Sequence, residues 1–444
     1  MERSFADRQT SPVSADQATP EAVPTHRAAG SESSQLPGYT TGFAIRLVAA
    51  QFLISLALFT PVTVSLSLRV SQIDPDGKAS SLSTVLAIGG FLALIGGPLF
   101  GALSDRTTSR FGRRRPWVAG GMAVGFVGLV VSGLADNIAV LACGWAITQL
   151  GVNAALAAMH AVLADRVPDR VRGRISGAVG MMTYVAMVVG AVLARALTGS
   201  SLLLFALPGV LGLAGAALIN TALRGDPPAD KGALPPFRIG SFLRSFWVSP
   251  RRHPDFAWNF VGRFLVFVGV SSATGYQLYF AEDQLGQSTH EATGTVAIGM
   301  TVMTIGAVFG SLFFGWLSDR TGRRKFCVYT GTAILAAGIA GLATAHSTGA
   351  FLAAITVFGL GMGAYLAVDT AIAVKTLPRA EDAAKDLGVL NVANALPQSL
   401  VPAIAPLFLG IASADRTNYL ALYLFGAAAA AAGAVALRFI RAVR

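Results

Sequence analysis

Trp145, Gln149, Asn153 and His160 interrupt an otherwise apolar or small-residue run, and at 3.6 residues per turn they fall on one narrow helical stripe. Amides that donate and accept, beside an aromatic face, suit the hydroxyls of a small solute. The competing use of Gln149 and Asn153 is to bond a neighbouring helix, a contact worth about 0.6 kcal/mol. Tyr365 and Asp369 share a second face, and Asp369 is the only acid deep inside an apolar run. It either carries a proton or pairs with Lys375 or His160. Asn391, Asn394 and Gln398 make a third face. Pro397, Pro402 and Pro406 interrupt it, and their missing N–H groups either loosen a moving wall or only bend it. Arg263, Thr274 and Gln277 make a fourth face, below Tyr276 and Tyr279, and Tyr184 is the one phenol of its own run. Arg46 and Arg263 lie near run ends, where long cations are expected to snorkel. The chain has no clustered His or Cys ligands, no glycine-rich nucleotide loop and no nucleophile with a matched base. An enzyme, a metal site or a cofactor is therefore not expected.

These residues sit in elements that composition identifies. Of 444 residues 53% are hydrophobic and 13% charged, a balance of a polytopic membrane protein. Crossing a bilayer takes about 20 apolar residues. Twelve stretches qualify: 43–69, 81–104, 116–135, 138–164, 174–197, 201–222, 256–281, 292–317, 326–345, 349–374, 388–411 and 418–439. The even-numbered connections hold nearly all the loop cations, including Arg106, Arg110 and Arg113 to Arg115, then Arg166 to Arg174, Arg320 to Lys325, and Lys375, Arg379 and Lys385. Odd ones hold few: Arg69, Lys78, Arg195 and Arg416. The net charge of +11 is thus an orientation signal, with both termini in the cytoplasm of a cell-membrane protein, and nucleic acid is excluded as a partner. Residues 1–40 form a polar tail expected to be disordered, 41–222 and 256–444 form two six-helix halves, and 223–255 forms a cytoplasmic joint. Cys143 and Cys327 fall near opposite faces, too far apart for a disulfide.

A repeat joins the halves. GALSDRTTSRFGRRRPW after the second stretch recurs as GWLSDRTGRRKF after the eighth, and LGVNAALAAMHAVLADRVP in the fourth aligns with LGMGAYLAVDTAIAVKTLP in the tenth. Gly101, Asp105, Arg106, Arg110, Gly112 and Arg113 resemble the signature loop of the major facilitator superfamily, with a weaker copy at Gly315, Asp319, Arg320, Gly322 and Arg323. The resemblance covers residues 40–440. It implies an all-α membrane protein of twelve transmembrane helices in two pseudo-symmetric six-helix halves, which binds a small-molecule substrate between halves that rock in alternating access. Gly101 is expected at a close helix approach, and Asp105 is expected to accept a hydrogen bond from a nearby arginine and to face the N-terminus of the helix beginning near Gly388, holding a cytoplasmic gate shut. Arg106, Arg113, Arg114 and Arg115, with Arg172 and Arg174, either add to that gate or only fix topology at the lipid headgroups.

The fuller form SDRTTSRFGRRRPW is similar to the glycoside-pentoside-hexuronide:cation symporters and the related sucrose transporters. That branch implies a sugar or glycoside as substrate and cation coupling. Two departures stand out. The second stretch has none of the aspartates that cation-coupled members carry, and Gln149 stands where the sucrose carriers have a proton-accepting aspartate. Proton coupling must then use Asp369, His160, Glu282 or Asp283. The rival reading is a proton-coupled drug or natural-product exporter, although the fifth stretch lacks the proline of the exporters' Gly-Pro-Gly-Gly signature. A membrane sensor is a third, minor reading. A monomer is expected.

Overall fold

The computed structural model describes residues 39–224, 240, 249–376, 383–412 and 417–440. The expected tail, most of the joint, Arg379, Arg416 and the Lys385 side chain lie outside the described residues. Among those described, twelve helices are long and apolar enough to cross a membrane. We number them α1 (Thr41–Ile73), α2 (Lys78–Asp105), α3 (Arg115–Leu134), α4 (Ile138–Arg166), α5 (Asp169–Ala196) and α6 (Ser201–Ala222), then α7 (Pro254–Thr274), α8 (Thr289–Thr321), α9 (Arg324–Ala343), α10 (Thr348–Thr376), α11 (Ala383–Leu409) and α12 (Tyr419–Leu437).

Short polar side chains start many of these helices. Thr40, Asn137, Ser200, Ser288 and Asn418 each accept from a backbone N–H three residues on, and Ser288 and Glu291 close a capping box. At the other end of α8, Gly322 adopts φ +65, the left-handed conformation that ends a helix without a Cβ penalty.

Two elements depart from the expectation. α1 runs past residue 69 by way of a π turn at Pro61–Ser65, where proline has no N–H to give the regular ladder. α7 does not continue to residue 281. It ends at Thr274, and after Gly275 and Tyr276 a separate short helix, Gln277–Asp283, takes over. The break matters because it aims Tyr276 and Tyr279 at the other half of the molecule.

The packing reproduces the repeat. α1 lies against α5 and α6, α2 against α4, and α3 against α4 and α6; α7 lies against α11 and α12, α8 against α10, and α9 against α10 and α12. The second set is the first shifted by six helices. Between the halves α2 meets α11 and α5 meets α8, again a symmetric pair. Phe91, Ile95, Phe309, Leu312, Leu407 and Val435 stay exposed, an apolar exterior suited to lipid rather than water.

The halves touch along only part of their length. α2 begins at the end opposite the arginine-rich loops, and at Gly90 it lies so close to α11 that a Cβ would stand 2.8 Å from the Gln398 carbonyl and the Ser399 backbone. Further along, a methyl group at Gly97 or Gly101, or at Gly173, Gly177 and Gly180 on α5 or Gly388 on α11, would meet nothing within 4 Å. The molecule is clasped at the end opposite the arginines and parted at the arginine-rich end.

Candidate transport site and its two ends

Where the halves part, α1, α2, α4, α5, α7, α8, α10 and α11 enclose a cavity of about 220 Å³. Most of its wall is apolar and adaptable: Phe59, Phe267, Phe358 and Trp145 with Met187, Met300, Met303 and Met362. Its polar groups are Thr63, Gln149, Tyr184, Ser271, Thr274 and Gln398. Among the described residues no Asp, Glu, Lys, Arg or His lines it.

The candidate residues separate into layers. Trp145, Gln149, Tyr184 and Gln398 line the cavity. Asn153 does not; one turn on from Gln149, its amide nitrogen donates to the Gln149 backbone carbonyl and to Gln149 Oε1, both at 2.8 Å. Tyr365 sits behind the wall, its ring edge-on to Phe267 at 6.4 Å. Asn394 is half-buried and Asn391 exposed, neither on the wall. Gln277 leaves the Arg263 and Thr274 face because of the break after α7, and its amide donates to the Ala273 carbonyl at 3.1 Å. Thr274 remains on the wall.

Asp369 has a different partner from those expected. Its carboxylate takes a forked contact from Arg263, with Nε at 3.2 Å and Nη2 on the other oxygen, and accepts from the Tyr365 hydroxyl at 2.9 Å. Arg263 is only 7% exposed and Asp369 3%. So Arg263 does not snorkel. Its guanidinium turns inward because an acid waits on α10, whereas Arg46, its counterpart in the pair Phe43-Ala-Ile-Arg46 and Phe260-Val-Gly-Arg263, is exposed, and the α4 repeat has Met159 at the position of Asp369. Lys375 and His160 are exposed, neither among the partners of Asp369.

At the arginine-rich end the first copy of the signature loop folds onto its own half. Arg114, 3% exposed, contacts Asp105, Asp165 and the Ser104 hydroxyl, and Arg113 reaches Asp165 at 2.9 Å. Arg106 donates to the Ala102 carbonyl at 3.1 Å. Asp105 therefore binds within its own half, and with the halves parted here the close approach expected at Gly101 is not made. The second copy is looser. Asp319, Arg320 and Arg323 are exposed, Arg320 lies over the Trp316 ring at 5.3 Å, and Gly315 is near only Ala367. The repeat explains this, because Lys375 occupies the position of Asp165 and cannot anchor an arginine.

Sequence reasoning overlooked the clasp at the opposite end. Lys78 on α2 bonds Glu282 at 3.2 Å and Asp283 at 2.7 Å, and Asp283 also accepts from Tyr419 at 2.7 Å. Ser83 donates to the Ala79 carbonyl, so its 2.6 Å contact with Tyr276 uses the phenol hydrogen. Tyr279 donates to the Ser67 carbonyl at 2.9 Å. Burial, then the charge of Glu282, pushes the Tyr279 phenol well above its ordinary range, so it remains a donor at neutral pH. Three contacts between halves thus converge from one short helix. The signal for them was Lys78, the one cation between residues 70 and 80, and the adjacent acids Glu282 and Asp283 in an odd-numbered connection of the other half.

This geometry agrees with what known proteins share with the chain. The profile of the Major Facilitator Superfamily matches residues 42–303 and 279–444. The MFS-type transporter YwfA of Bacillus subtilis is 29% identical over 129 residues, 28% of this chain and 30% of that protein. The symporter sll1374 of Synechocystis is 52% identical over 50 residues, 11% of this chain and 9% of that protein. The matched segments thus span less than a third of either relative. Among solved structures, a point mutant of the nucleoside transporter NupG superposes with a TM-score of 0.73 at 13% identity, over 90% of this chain and 100% of that one. A bacterial homolog of the human lysosomal transporter Spinster, inward-facing and unoccupied, superposes at 0.63 and 16% identity, over 90% and 96%. At such identities the superpositions show the fold alone, and the profile, matched across nearly the whole described chain, carries the assignment: the chain belongs to the Major Facilitator Superfamily.

Proposed function

We propose that the protein is a secondary transporter that carries a small, uncharged, hydroxyl-bearing solute, a sugar or glycoside, across the cell membrane by alternating access. The observation that carries this reading is the cavity between the halves, whose polar groups are neutral amides and hydroxyls set in aromatic and methionine surface. Such a wall has no group to neutralise an ion stripped of water, so a cation or anion would pay for its own desolvation. It offers hydrogen bonds to hydroxyls and flat apolar surface to the ring carbons or to a glycoside's apolar substituent. With both termini in the cytoplasm, the parted arginine-rich end faces inward, and the clasp closes the outside. The Asp105, Arg106 and Arg113 loop and its copy at Gly315, Asp319, Arg320 and Arg323 then form a cytoplasmic gate that is open here. The loop's fuller form, SDRTTSRFGRRRPW, favours the glycoside branch, and one relative matched over 50 residues is named a symporter.

Coupling to protons would run through Asp369, which Tyr365 and Phe267 link to the cavity wall. The exporter reading keeps one observation on its side, the four methionines, which would accommodate a lipophilic cargo. Uptake and efflux of a glycoside panel and of hydrophobic cations, in right-side-out and inside-out vesicles with and without a pH gradient, separate the two. Glycoside uptake is expected. Export of a lipophilic cation with no glycoside movement would reverse the assignment.

A further inference from the structure

The stripe on α4 predicts two amides that both donate and accept, but the hydrogen bonds divide the work. The nitrogen of Asn153 lies 2.8 Å from the Gln149 backbone carbonyl. A carbonyl only accepts, so the nitrogen end of the Asn153 amide must be the one that faces it. The second hydrogen of that nitrogen goes to the side chain of Gln149, 2.8 Å away, and the atom receiving it must be Oε1. The acceptor of Gln149 is then engaged along its own helix. Oε1 keeps a second lone pair but is turned toward Asn153, and the end of the amide that stands toward α2 is Nε2, which only donates. This nitrogen stands 3.2 Å from where a Cβ on Gly89 would be, and Trp145 Nε1, a second neutral donor, has no hydrogen-bond partner among the described residues and stands 2.1 Å from the same point. The absence of a side chain at Gly89 lets the Trp145 indole lie against α2, so that two N–H groups converge at that point.

Other walls have the opposite polarity. The Thr63 hydroxyl donates to the Phe59 carbonyl at 2.8 Å and Thr274 to the Val270 carbonyl at 3.0 Å, which leaves lone pairs toward the cavity. The Gln398 nitrogen spends one of its two hydrogens on the Asn394 carbonyl at 3.4 Å, while its oxygen accepts no hydrogen bond among the described residues.

We propose that Asn153 is a positioning residue that fixes the Gln149 amide with its donor end toward the solute, so that the solute places an acceptor oxygen against α4 and its hydroxyl hydrogens toward Thr63, Thr274 and Gln398. The inference rests on the cavity being the solute site. An ammonium or any group with only hydrogens to offer is rejected at α4, because the buried donors there would be left unpaired.

Two measurements on the full-length protein test it. The first needs no solute. A carboxylate at position 149 is held ionised by a donor at 153, so the thermal midpoint of Gln149→Glu, followed against pH, should turn at a pH lower by about one unit than that of Gln149→Glu/Asn153→Leu. Should the glutamate variant fail to fold, the pH profile of alkylation of Gln149→Cys in a Cys143→Ser background, with and without Asn153→Leu, gives the same comparison. Coincident profiles overturn the proposal. The second measurement is competition against uptake of methyl β-glucoside by its deoxy and deoxyfluoro forms. Fluorine accepts weakly and cannot donate, so at one ring position the fluoro sugar should compete about tenfold better than the deoxy sugar, and Asn153→Leu should erase that difference. Equal loss for fluoro and deoxy forms at every position overturns the donor assignment. If no glycoside competes, the glycoside reading falls while the pH comparison still decides the polarity of Gln149.

Discussion

At the scale of single residues, the buried pair of Arg263 and Asp369 decides more than any other contact in the second half. Its two charges are out of water and mutually satisfied, with Tyr365 on one carboxylate oxygen. Removing one partner leaves an uncompensated buried charge, which costs about 3–5 kcal/mol, whereas replacing both with apolar residues is close to neutral. Arg263→Met should therefore lower the unfolding midpoint in detergent far more than Arg263→Met/Asp369→Leu does. Equal losses would mean that the charges act separately. Asp369→Asn keeps the shape and removes the proton site. If Asp369 carries the proton, this variant loses accumulation driven by a pH gradient but keeps solute exchange; unchanged accumulation removes Asp369 from coupling. Gly89 supplies another residue-scale outcome. A methyl there would stand 2.1 Å from the Trp145 indole nitrogen, an overpacking that costs about 1–3 kcal/mol. Gly89→Ala is expected to raise KM for the carried solute, and Trp145→Phe in the same chain should recover stability without recovering KM.

At the scale of elements, the short helix Gln277–Asp283 acts as the clasp. Its ion pairs with α2 are partly exposed, with the Lys78 side chain at 22%, so they are worth about 1 kcal/mol. Loss of that much shifts a two-state equilibrium by roughly fivefold. Lys78→Gln should thus favour opening at the clasped end, read as faster alkylation of a cysteine placed at buried Ser67, whose contact with Tyr279 runs through its backbone carbonyl, in a Cys143→Ser background. Unchanged alkylation would show that the tyrosine contacts alone hold the halves. The twelve spans were legible beforehand, because apolar runs of membrane length and cations on alternate connections are dictated by the bilayer itself. The break after Thr274 was not, since Gly275 and two tyrosines read equally well as the end of one long helix. Trp145, Gln149 and Gln398 were legible as polar interruptions at helical spacing. The inward turn of Arg263 was hidden because a cation near a helix end gives the same sequence signal whether it snorkels or finds an acid on another helix.

At the scale of the whole molecule, the two halves share a packing plan but divide the chemistry. The first half balances its charges at the arginine-rich end through Asp105, Arg114 and Asp165; the second keeps its one deep pair inside, at Arg263 and Asp369, and leaves its loop arginines exposed. Orientation is open to direct measurement. Cysteines introduced at Arg110 and at Gln284 in a Cys143→Ser background should be labelled by an impermeant maleimide from the cytoplasmic and the outer side respectively, and the reverse pattern would invert the topology. The π turn of α1 ties the division together. A π turn accommodates one extra residue, which rotates everything beyond it by about 100° relative to an unbroken α-helix. Before the turn and within it α1 shows Phe59, Val62 and Thr63 to the cavity; after it, the Ser67 carbonyl meets Tyr279. The helix is threaded in two registers, one set for the cavity and one for the opposing half. Straightening that turn would unscrew the clasp while the cargo face held still, so the pitch of a single helix sets which events at the centre of the protein are felt at its closed mouth.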